Sequence, residues 1–445
     1  MQGGTIFALS TALGRSGVAV VRVSGQDALS SLQSLCARHV KPRQAELVQL
    51  INPKTEQIID DALVIWFPKP RSFTGEDTVE YHVHGSHAVI DSLILCLGET
   101  SGLRHANPGE FTRRAFENGK MDLTAAEGLA DLIEAETEIQ KKQAFRQMKG
   151  QLGVVYENWR KQILRDLSYI EAVIDFADEE IPNDLFYKVN KSVKRMIVSI
   201  ENHLNDSRRG ERIREGIHVA IIGEPNVGKS SLLNALIKRN IAIVSKGAGT
   251  TRDIIETNLD LDGYPVILFD TAGLRESDDI VEVEGIRRAR EKAEDADLKI
   301  VVLDGINPFS ESNEIKLLKQ KNSIIVFNKV DLLSAMDKAT LKKEILVSAK
   351  TGEGTEDILN HLKQIIQKNF CLPETAVITK SRHRLALLNC VKALKRVWSL
   401  EGNLISIELA AEEMRMAARF LGRITGQVDV EDILEKIFSD FCIGK

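Results

Sequence analysis

The chain has 445 residues, with 59 Lys+Arg against 64 Asp+Glu and a formal net charge of −5. At ~150 residues per domain that length holds about three domains with sizeable cores. The charge balance excludes broad electrostatic coating of nucleic acid while leaving room for a local basic patch. No run approaches the ~18 apolar residues of a membrane span, so no membrane-spanning segment is expected.

The opening MQGGTIFALSTALGRSG lacks a charged segment followed by a long apolar one, so a secretory signal is not expected. Cys36, Cys96, Cys371, Cys390 and Cys442 are scattered without C-x-x-C spacing. That pattern fits neither a disulfide framework nor a cysteine zinc site, and it points to the reducing cytoplasm.

Residues 1–118 read as an α+β domain. Val18-Ala19-Val20-Val21-Arg22-Val23 and Ala62-Leu63-Val64-Ile65-Trp66-Phe67 are β-rich runs, and residues 78–84 alternate in polarity like a strand with one buried face. Residues 29–36 and 88–97 have the length and apolar content of helices between them. From 119 to 215 the sequence is rich in Ala, Glu, Leu, Lys, Gln and Arg, with apolar residues such as Leu129, Leu132, Ile133 and Ala135 near a 3.6-residue period. The same helical texture returns in 373–445. Between these stretches, 216–372 alternates strand-like and helix-like segments, as a parallel α/β sheet does. The simplest architecture is one helical domain made of two separated stretches, with an α/β domain inserted into it.

The inserted segment carries the chemistry. Gly223-Glu224-Pro225-Asn226-Val227-Gly228-Lys229-Ser230 satisfies G-x-x-x-x-G-K-[ST], after an apolar run (217–222) and before a helical one (231–238). Backbone N–H groups of Asn226, Val227, Gly228, Lys229, Ser230 and Ser231 would cradle phosphates, the lysine would neutralise β/γ charge, and Ser230 would hold Mg²⁺. A Gly-rich stretch follows: Ser245, Lys246, Gly247, Ala248, Gly249, Thr250 and Thr251, then Arg252-Asp253. A switch threonine there could meet Mg²⁺ and the γ-phosphate. Asp270-Thr271-Ala272-Gly273 follows a strand-like run and offers a carboxylate to the metal through water. Asn328-Lys329-Val330-Asp331 lets Asp331 accept two N–H bonds from guanine, with Asn328 on the opposite edge and Lys329 over the ring. Adenine lacks that exocyclic donor, so GTP is predicted over ATP. Ser348-Ala349-Lys350 would supply a backbone contact to the base oxygen.

The order and spacing of these segments resemble the Ras-like translation-factor GTPases, with one departure. Leu274 stands where Ras-like proteins place the water-orienting Gln, and an aliphatic side chain can neither orient nor deprotonate water. Hydrolysis then needs another polar residue and another source of positive charge. The acidic stretch 276–284 offers candidates, although such a run is more often solvated surface.

Other stretches are more specific. The ending Phe438-Ser439-Asp440-Phe441-Cys442-Ile443-Gly444-Lys445 resembles that of the MnmE (TrmE) family of tRNA modification GTPases. So do Val20-Val21-Arg22-Val23-Ser24-Gly25, Phe73-Thr74-Gly75-Glu76-Asp77, Pro108-Gly109-Glu110-Phe111-Thr112 and Asn118-Gly119-Lys120-Met121-Asp122-Leu123. The resemblance runs the length of the chain and implies a folate-binding, dimerising N-terminal domain and a GTPase domain inserted into a helical one. It implies a homodimer that forms a heterotetramer with an FAD-dependent, MnmG (GidA)-type partner. Together they would add an aminomethyl or carboxymethylaminomethyl group at C5 of the wobble uridine of certain tRNAs. The one-carbon donor would be a reduced folate (5-formyl- or 5,10-methylene-tetrahydrofolate).

The resemblance also implies site residues. Arg22, Glu80, Lys120 and Lys445 become folate contacts, chemically sensible because a pterin offers N–H donors to a carboxylate and its glutamate tail attracts cations. Taken singly, each would pass for a surface ion pair. K⁺ would replace the arginine finger, held by Asn226 with oxygens of Ser245, Gly247 and Thr250, and Glu282 would position the attacking water. Cys442 is a candidate nucleophile toward C6 of the uracil ring, with a small buried side chain as the plainer alternative.

Two features are discounted and two motif departures are noted. His82, His84 and His87 lack an obvious third ligand and outer shell for a metal. His84-Gly85-Ser86 and Ala12-Leu13-Gly14-Arg15-Ser16-Gly17 depart from the family's His-Gly-Gly and Gly-Arg-Gly-Gly, which puts local turn shape in question. Lys141, Lys142, Arg146 and Lys149 could form a tRNA-facing strip, but a solvated helix face is the more ordinary reading. The rival functions are a ribosome-assembly GTPase, though no KH-type Gly-x-x-Gly signature follows Cys371, and a purely regulatory switch.

Overall fold

The computed structural model describes residues 4–36, 38–175, 185–239, 256–270, 291, 293–307, 322–341, 344–373, 375–400, 404–428, 431–439, 441 and 443–444. Two compact units emerge: Met1–Ala130 with Gln147–Phe186 and Leu400–Lys445, and Asp131–Arg146 with Tyr187–Ser399. Among the described residues, no helix is long and apolar enough to cross a membrane.

The first unit is built on a six-stranded sheet: β1 (Thr5–Leu9), β2 (Ser16–Ser24), β3 (Ala45–Ile51), β4 (Ile58–Phe67), β5 (Thr78–Gly85) and β6 (Leu103–His105). The order is β3-β4-β5-β2-β1-β6, antiparallel except for the β1–β6 pair. Alternation decides the faces. Val21, Val23, Val64, Val79 and Tyr81 point to one side, where α1 (Ala28–Leu35) and α2 (His87–Gly98) bury Leu32, Leu35, Ile90, Leu93 and Leu97 against them. Ile6 and Ala8 point to the other, against Ala106 and Phe111. Because β1 is buried on both faces, its sequence TIFAL carries no alternation, and β6 is only three residues long. Neither therefore announces itself in the sequence, and pairing with neighbours makes them strands.

Helix α3 (Glu110–Glu117) starts at Gly109, whose φ is +66° and whose absent Cβ would fall 2.5 Å from the Phe438 carbonyl oxygen. Only glycine suits both demands. Then come α4 (Leu123–Glu134), α5 (Glu138–Met148), α6 (Gln151–Asp175), α7 (Leu185–Leu204) and α8 (Arg209–Glu215). In α6, Leu152, Tyr156, Ile163, Leu167 and Ile170 form one buried stripe at helical spacing. It packs along a later helix, residues Leu404–Thr425, and the contacts Glu157–Gln427 and Glu171–Arg415 make the pair antiparallel.

The second unit carries another six-stranded sheet: β7 (Ile217–Gly223), β8 (Glu256–Leu261), β9 (Tyr264–Asp270), β10 (Leu298–Asp304), β11 (Ser323–Asn328) and β12 (Ile345–Leu346). Its order is β12-β11-β10-β7-β9-β8, parallel except for the edge strand β8, which runs antiparallel to β9. Residues of β7 go alternately to two cores, Val219 and Ile221 to one and Ala220 and Ile222 to the other. Burial on both faces explains why these strands read as continuous apolar runs. The helices α9 (Lys229–Arg239), α10 (Ala335–Thr340) and α11 (Thr355–Phe370) belong to this region, followed by α12 (Ser381–Ser399), α13 (Leu404–Thr425) and α14 (Glu431–Ser439).

Candidate functional site

Strand β7 lies between β10 and β9, the point where the strand order reverses. In open α/β sheets the crevice beyond the strand ends at such a point is where ligands bind. The phosphate-loop motif leaves β7 there and enters α9 at Lys229. Its two glycines are needed for close approach. A Cβ on Gly223 would fall 2.3 Å from the Val302 carbonyl oxygen, and one on Gly228, at φ +95°, would fall 2.4 Å from Asn328 Nδ2. Asn226 is left-handed at φ +62° and exposed, while Val227 is buried beneath the loop.

The Lys229 ammonium donates to the carbonyl oxygens of Gly223 and Glu224, each at 3.0 Å. Burial pushes its pKa down, with Asp270 and Glu224 opposing. The ammonium thus rests on its own loop, near where a polyphosphate would sit on the α9 N-terminus. Ser230 Oγ donates to Asp270 Oδ2 at 2.5 Å, so the hydroxyl at the start of α9 and the carboxylate at the end of β9 converge. Two oxygens of this type are the donor set of a hard cation, and the residues present fit Mg²⁺. Ser231 lies one residue on, exposed, in the first turn of α9.

The base-side loops gather at the ends of β10 and β11. Asn328 is buried and uses both ends of its amide within the protein: Nδ2 donates to the Val227 carbonyl at 2.7 Å, and Oδ1 accepts from the Ala349 N–H at 3.0 Å. In this structure it is a strut joining the phosphate loop to the 348–350 turn. Within the Ser348-Ala349-Lys350 segment expected to contact the base oxygen, the Ala349 N–H is engaged by Asn328. Ser348 Oγ donates to Asp331 Oδ1 at 2.7 Å, and that bond holds the exposed Asp331 carboxyl below its ordinary pKa. Lys329 is left-handed at φ +68° and pairs with Asp304 at 2.7 Å, with Lys350 exposed nearby in sequence. Asp304 was not foreseen, although its place at the end of β10 was a readable signal. Ser245, Lys246, Gly247, Ala248, Gly249, Thr250, Thr251, Thr271, Ala272, Gly273, Leu274, Glu282, Cys442 and Lys445 lie outside the described residues.

The first unit holds the other predicted residues. Arg22 on β2 and Glu80 on β5 are cross-strand partners, with Arg22 nitrogens donating to Glu80 Oε1 at 2.8 and 3.0 Å. The guanidinium lies 5.3 Å from the Phe73 ring centre and 5.8 Å from that of Phe111. Phe73 sits on the loop between β4 and β5. That loop is fixed by Ser24, which hydrogen-bonds Thr74 at 2.7 Å and Glu76 at 2.8 Å, and by Arg114, which pairs with Glu76 at 3.0 Å. Asn118 donates to the Thr74 carbonyl at 2.8 Å, and Lys120 Nζ donates to that of Pro70 at 2.9 Å. Arg22 and Lys120 therefore border the same loop, and motifs far apart in sequence form one polar network around it. The chain end reaches this sheet as well: Ser10 Oγ donates to the Gly444 carbonyl at 3.0 Å.

The questioned turn has a local answer. Gly85 is the residue that needs no side chain, because a Cβ there would fall 2.1 Å from Ser16 Oγ, whereas Ser86 is extended and caps α2 by accepting the Val89 N–H. His84 bonds Asp60 at 2.8 Å, and His82 lies 3.5 Å from Glu80. Among the described residues, no group of three or more His, Cys, Asp or Glu converges on a metal site.

Comparison with known proteins identifies the family. The family model for the MnmE helical domain matches residues 123–442, and that for the GTP-binding protein TrmE N-terminus matches residues 5–120. The tRNA modification GTPase MnmE of Parvibaculum lavamentivorans is 50% identical over 99% of this chain and 100% of its own length. That of Paramagnetospirillum magneticum is 48% identical over 99% of both. A mitochondrial 5-taurinomethyluridine-[tRNA] synthase subunit of Danio rerio is 44% identical over 99% of this chain and 93% of its own. Among solved structures, the G domain of the T. maritima FeoB iron transporter is 28% identical over 34% of this chain and 96% of that one, at a TM-score of 0.24, and adds nothing to the assignment. With family matches over nearly the whole chain and full-length relatives at this identity, the chain belongs to the MnmE (TrmE) family of tRNA modification GTPases.

Proposed function

We propose that this chain binds and hydrolyses GTP at the β7–α9 loop and that the nucleotide cycle drives modification of the wobble uridine of certain tRNAs. The observation that carries this reading is the convergence of Ser230 and Asp270 beside Lys229 at the switch point of the sheet. The names of the full-length relatives support the tRNA part.

In this reading Lys229 exchanges the Gly223 and Glu224 carbonyls for the β/γ-phosphates, and the loop N–H groups hold the remaining oxygens. Ser230, with Thr251, would hold Mg²⁺, which when bound neutralises phosphate charge. Asp331 accepts the guanine N–H groups, and Asn328 keeps the base and phosphate loops at a fixed spacing. Glu282 orients the attacking water. Asn226, Ser245, Gly247 and Thr250 would hold K⁺, which supplies the positive charge an arginine finger would otherwise bring.

The four-part division proposed is a folate-binding and dimerisation domain (1–118), a helical domain in two parts (119–215 and 373–445) and an inserted GTPase domain (216–372). Arg22, Glu80, Lys120 and Lys445 take the reduced folate, which supplies the one-carbon unit. Their types fit a ligand with N–H donors at one end and carboxylates at the other. Homodimerisation is supported by an exposed apolar pair on the sheet, the cross-strand partners Leu47 and Leu63. The complex works in the cytoplasm with an FAD-dependent MnmG-type partner, and Cys442 is retained as a candidate nucleophile.

Mass spectrometry of wobble uridines in tRNA from a deletion strain tests the whole reading. Loss of the C5 substituent is expected, and unchanged nucleosides overturn it in favour of a ribosome-assembly or regulatory GTPase.

A further inference from the structure

Helices α7 and α12 differ in charge from the rest of the chain. Over their 20 and 19 residues they carry nine Lys/Arg (Lys188, Lys191, Lys194, Arg195, Arg382, Arg384, Lys392, Lys395, Arg396) against one carboxylate, Glu201. The net of +8, nine minus one, stands in a protein whose total is −5. The helices lie side by side and antiparallel. Lys194 Nζ sits 5.4 Å from the Trp398 ring centre, Lys395 pairs with Glu201 at 2.7 Å, and Arg384 donates to the Leu204 carbonyl at 2.9 Å.

Burial sorts the side chains. Val189, Val193, Met196, Ile197 and Ile200 of α7 and Leu387, Val391, Leu394 and Val397 of α12 turn inward. That leaves Lys191, Lys194, Arg195, Lys392, Lys395 and Arg396 on the solvent side. Two aromatic rings share that side: Trp398 is half exposed and Tyr187 more so. An ordinary solvated helix face interleaves both signs, as Glu157, Arg160, Lys161, Arg165 and Glu171 do on α6. A surface with six cations against the single carboxylate Glu201, together with exposed rings, is instead the footprint of a nucleic-acid strand, with cations for phosphates and ring faces for unstacked bases.

The basic strip of Lys141, Lys142, Arg146 and Lys149 lacks this character. Lys141 and Lys142 both pair with Glu138, and Arg146 donates to the Pro373 carbonyl.

We infer that the paired face of α7 and α12 is an RNA-binding surface that holds the phosphate backbone of the tRNA substrate. The inference rests on the tRNA reading proposed above. A helix of 20 residues extends ~30 Å, enough to follow several consecutive phosphates. Because the contacts are ionic, affinity should fall steeply with salt, and each lysine removed should lower the slope of log K against log salt by about one.

The test is a fluorescence-anisotropy titration of labelled, unmodified tRNA transcript with the full-length chain across a salt series. Lys191→Glu/Lys194→Glu/Lys392→Glu should weaken binding at least tenfold at low salt and reduce the slope by about three. Trp398→Ala should weaken it severalfold with the slope unchanged. GTP hydrolysis without RNA should stay at the wild-type rate in both, which confirms folding. Wild-type tRNA affinity and slope in the triple variant overturn the assignment. So does a variant that binds tRNA normally but fails to capture the FAD-dependent partner, which would make the face a protein interface. A wild-type chain that binds no tRNA overturns the face together with the reading beneath it, whereas normal wild-type binding with an indifferent variant removes the face alone.

Discussion

The two sheets bring their candidate ligand-binding groups together in different ways. In the second unit, consecutive residues of one loop do the work, because backbone N–H groups and a helix start must converge on phosphates. The glycines at 223 and 228 admit close approach, and Asn328 ties the distant base loop to the phosphate loop with two hydrogen bonds. In the first unit no loop suffices. Arg22 and Glu80 meet because β2 and β5 are in register, and Lys120 joins them through the loop that Ser24, Glu76 and Arg114 hold in place. One candidate site is local in sequence and built on backbone; the other is non-local and built on side chains. They should therefore fail in different ways.

The largest effect belongs to the backbone-built site. Lys229→Ala should lower the GTP turnover rate by about 10²–10³-fold, the usual loss when one donor to developing charge is removed. Steady-state phosphate release measures it, and hydrolysis at the wild-type rate would refute the assigned role. Binding of reduced folate should be unaffected, because Lys229 has no part in the first unit's network.

Arg22→Ala is the converse. It removes a half-buried guanidinium that donates twice to Glu80 and lies beside the Phe73 and Phe111 rings. Charge-assisted bonds of this kind are worth ~1.5–3 kcal/mol, or about tenfold to a hundredfold in affinity. Calorimetric titration with a reduced folate should register that loss, while GTP turnover in the absence of RNA stays constant. Equal folate affinity in the variant would reduce the Arg22–Glu80 pair to a structural ion pair.

The same contrast governs what was legible in the sequence. The nucleotide loops were readable because each is contiguous, and the strands leading to them were marked by apolar runs at 217–222 and 324–327. The strands β1 and β6 and the helix α3 were not. β1 is buried on both faces and shows no alternation, β6 has three residues, and α3 begins at a glycine whose reason is Phe438, more than three hundred residues away. The network joining Ser24, Thr74, Glu76, Arg114 and Asn118 could be met in sequence only as scattered resemblances. Its residues have no shared spacing, and three-dimensional proximity alone explains why they occur together.

Gly109→Ala sharpens this point with a smaller effect. A Cβ there meets the Phe438 carbonyl, and the left-handed backbone disfavours any side chain. Strain of this kind amounts to about 1–3 kcal/mol. The first unit's melting temperature should drop, with the GTP turnover rate retained. An unchanged melting temperature would mean that the α14 contact yields freely.

The smallest effect is in pH, and its sign differs between the units. Burial pushes the Glu110 carboxyl up, but bonds from Arg104, the Asn107 N–H and Arg114 outweigh it and leave the pKa below the usual glutamate value. A carboxylate depressed on folding stabilises the fold at pH above its unfolded pKa, and that contribution is lost as pH falls through the folded one. Asp297 in the second unit runs the other way. Burial raises its pKa despite Arg212 at 2.7 Å and the His218 N–H, so ionisation opposes folding there and the penalty is relieved as pH falls. From neutral pH down through the carboxylate range, Glu110→Gln should flatten the acid-induced loss of stability. Asp297→Asn should remove a contribution of opposite slope. Melting curves between pH 7 and about pH 3 distinguish them: parallel shifts in both variants would mean that neither carboxylate titrates differently in the folded and unfolded chain.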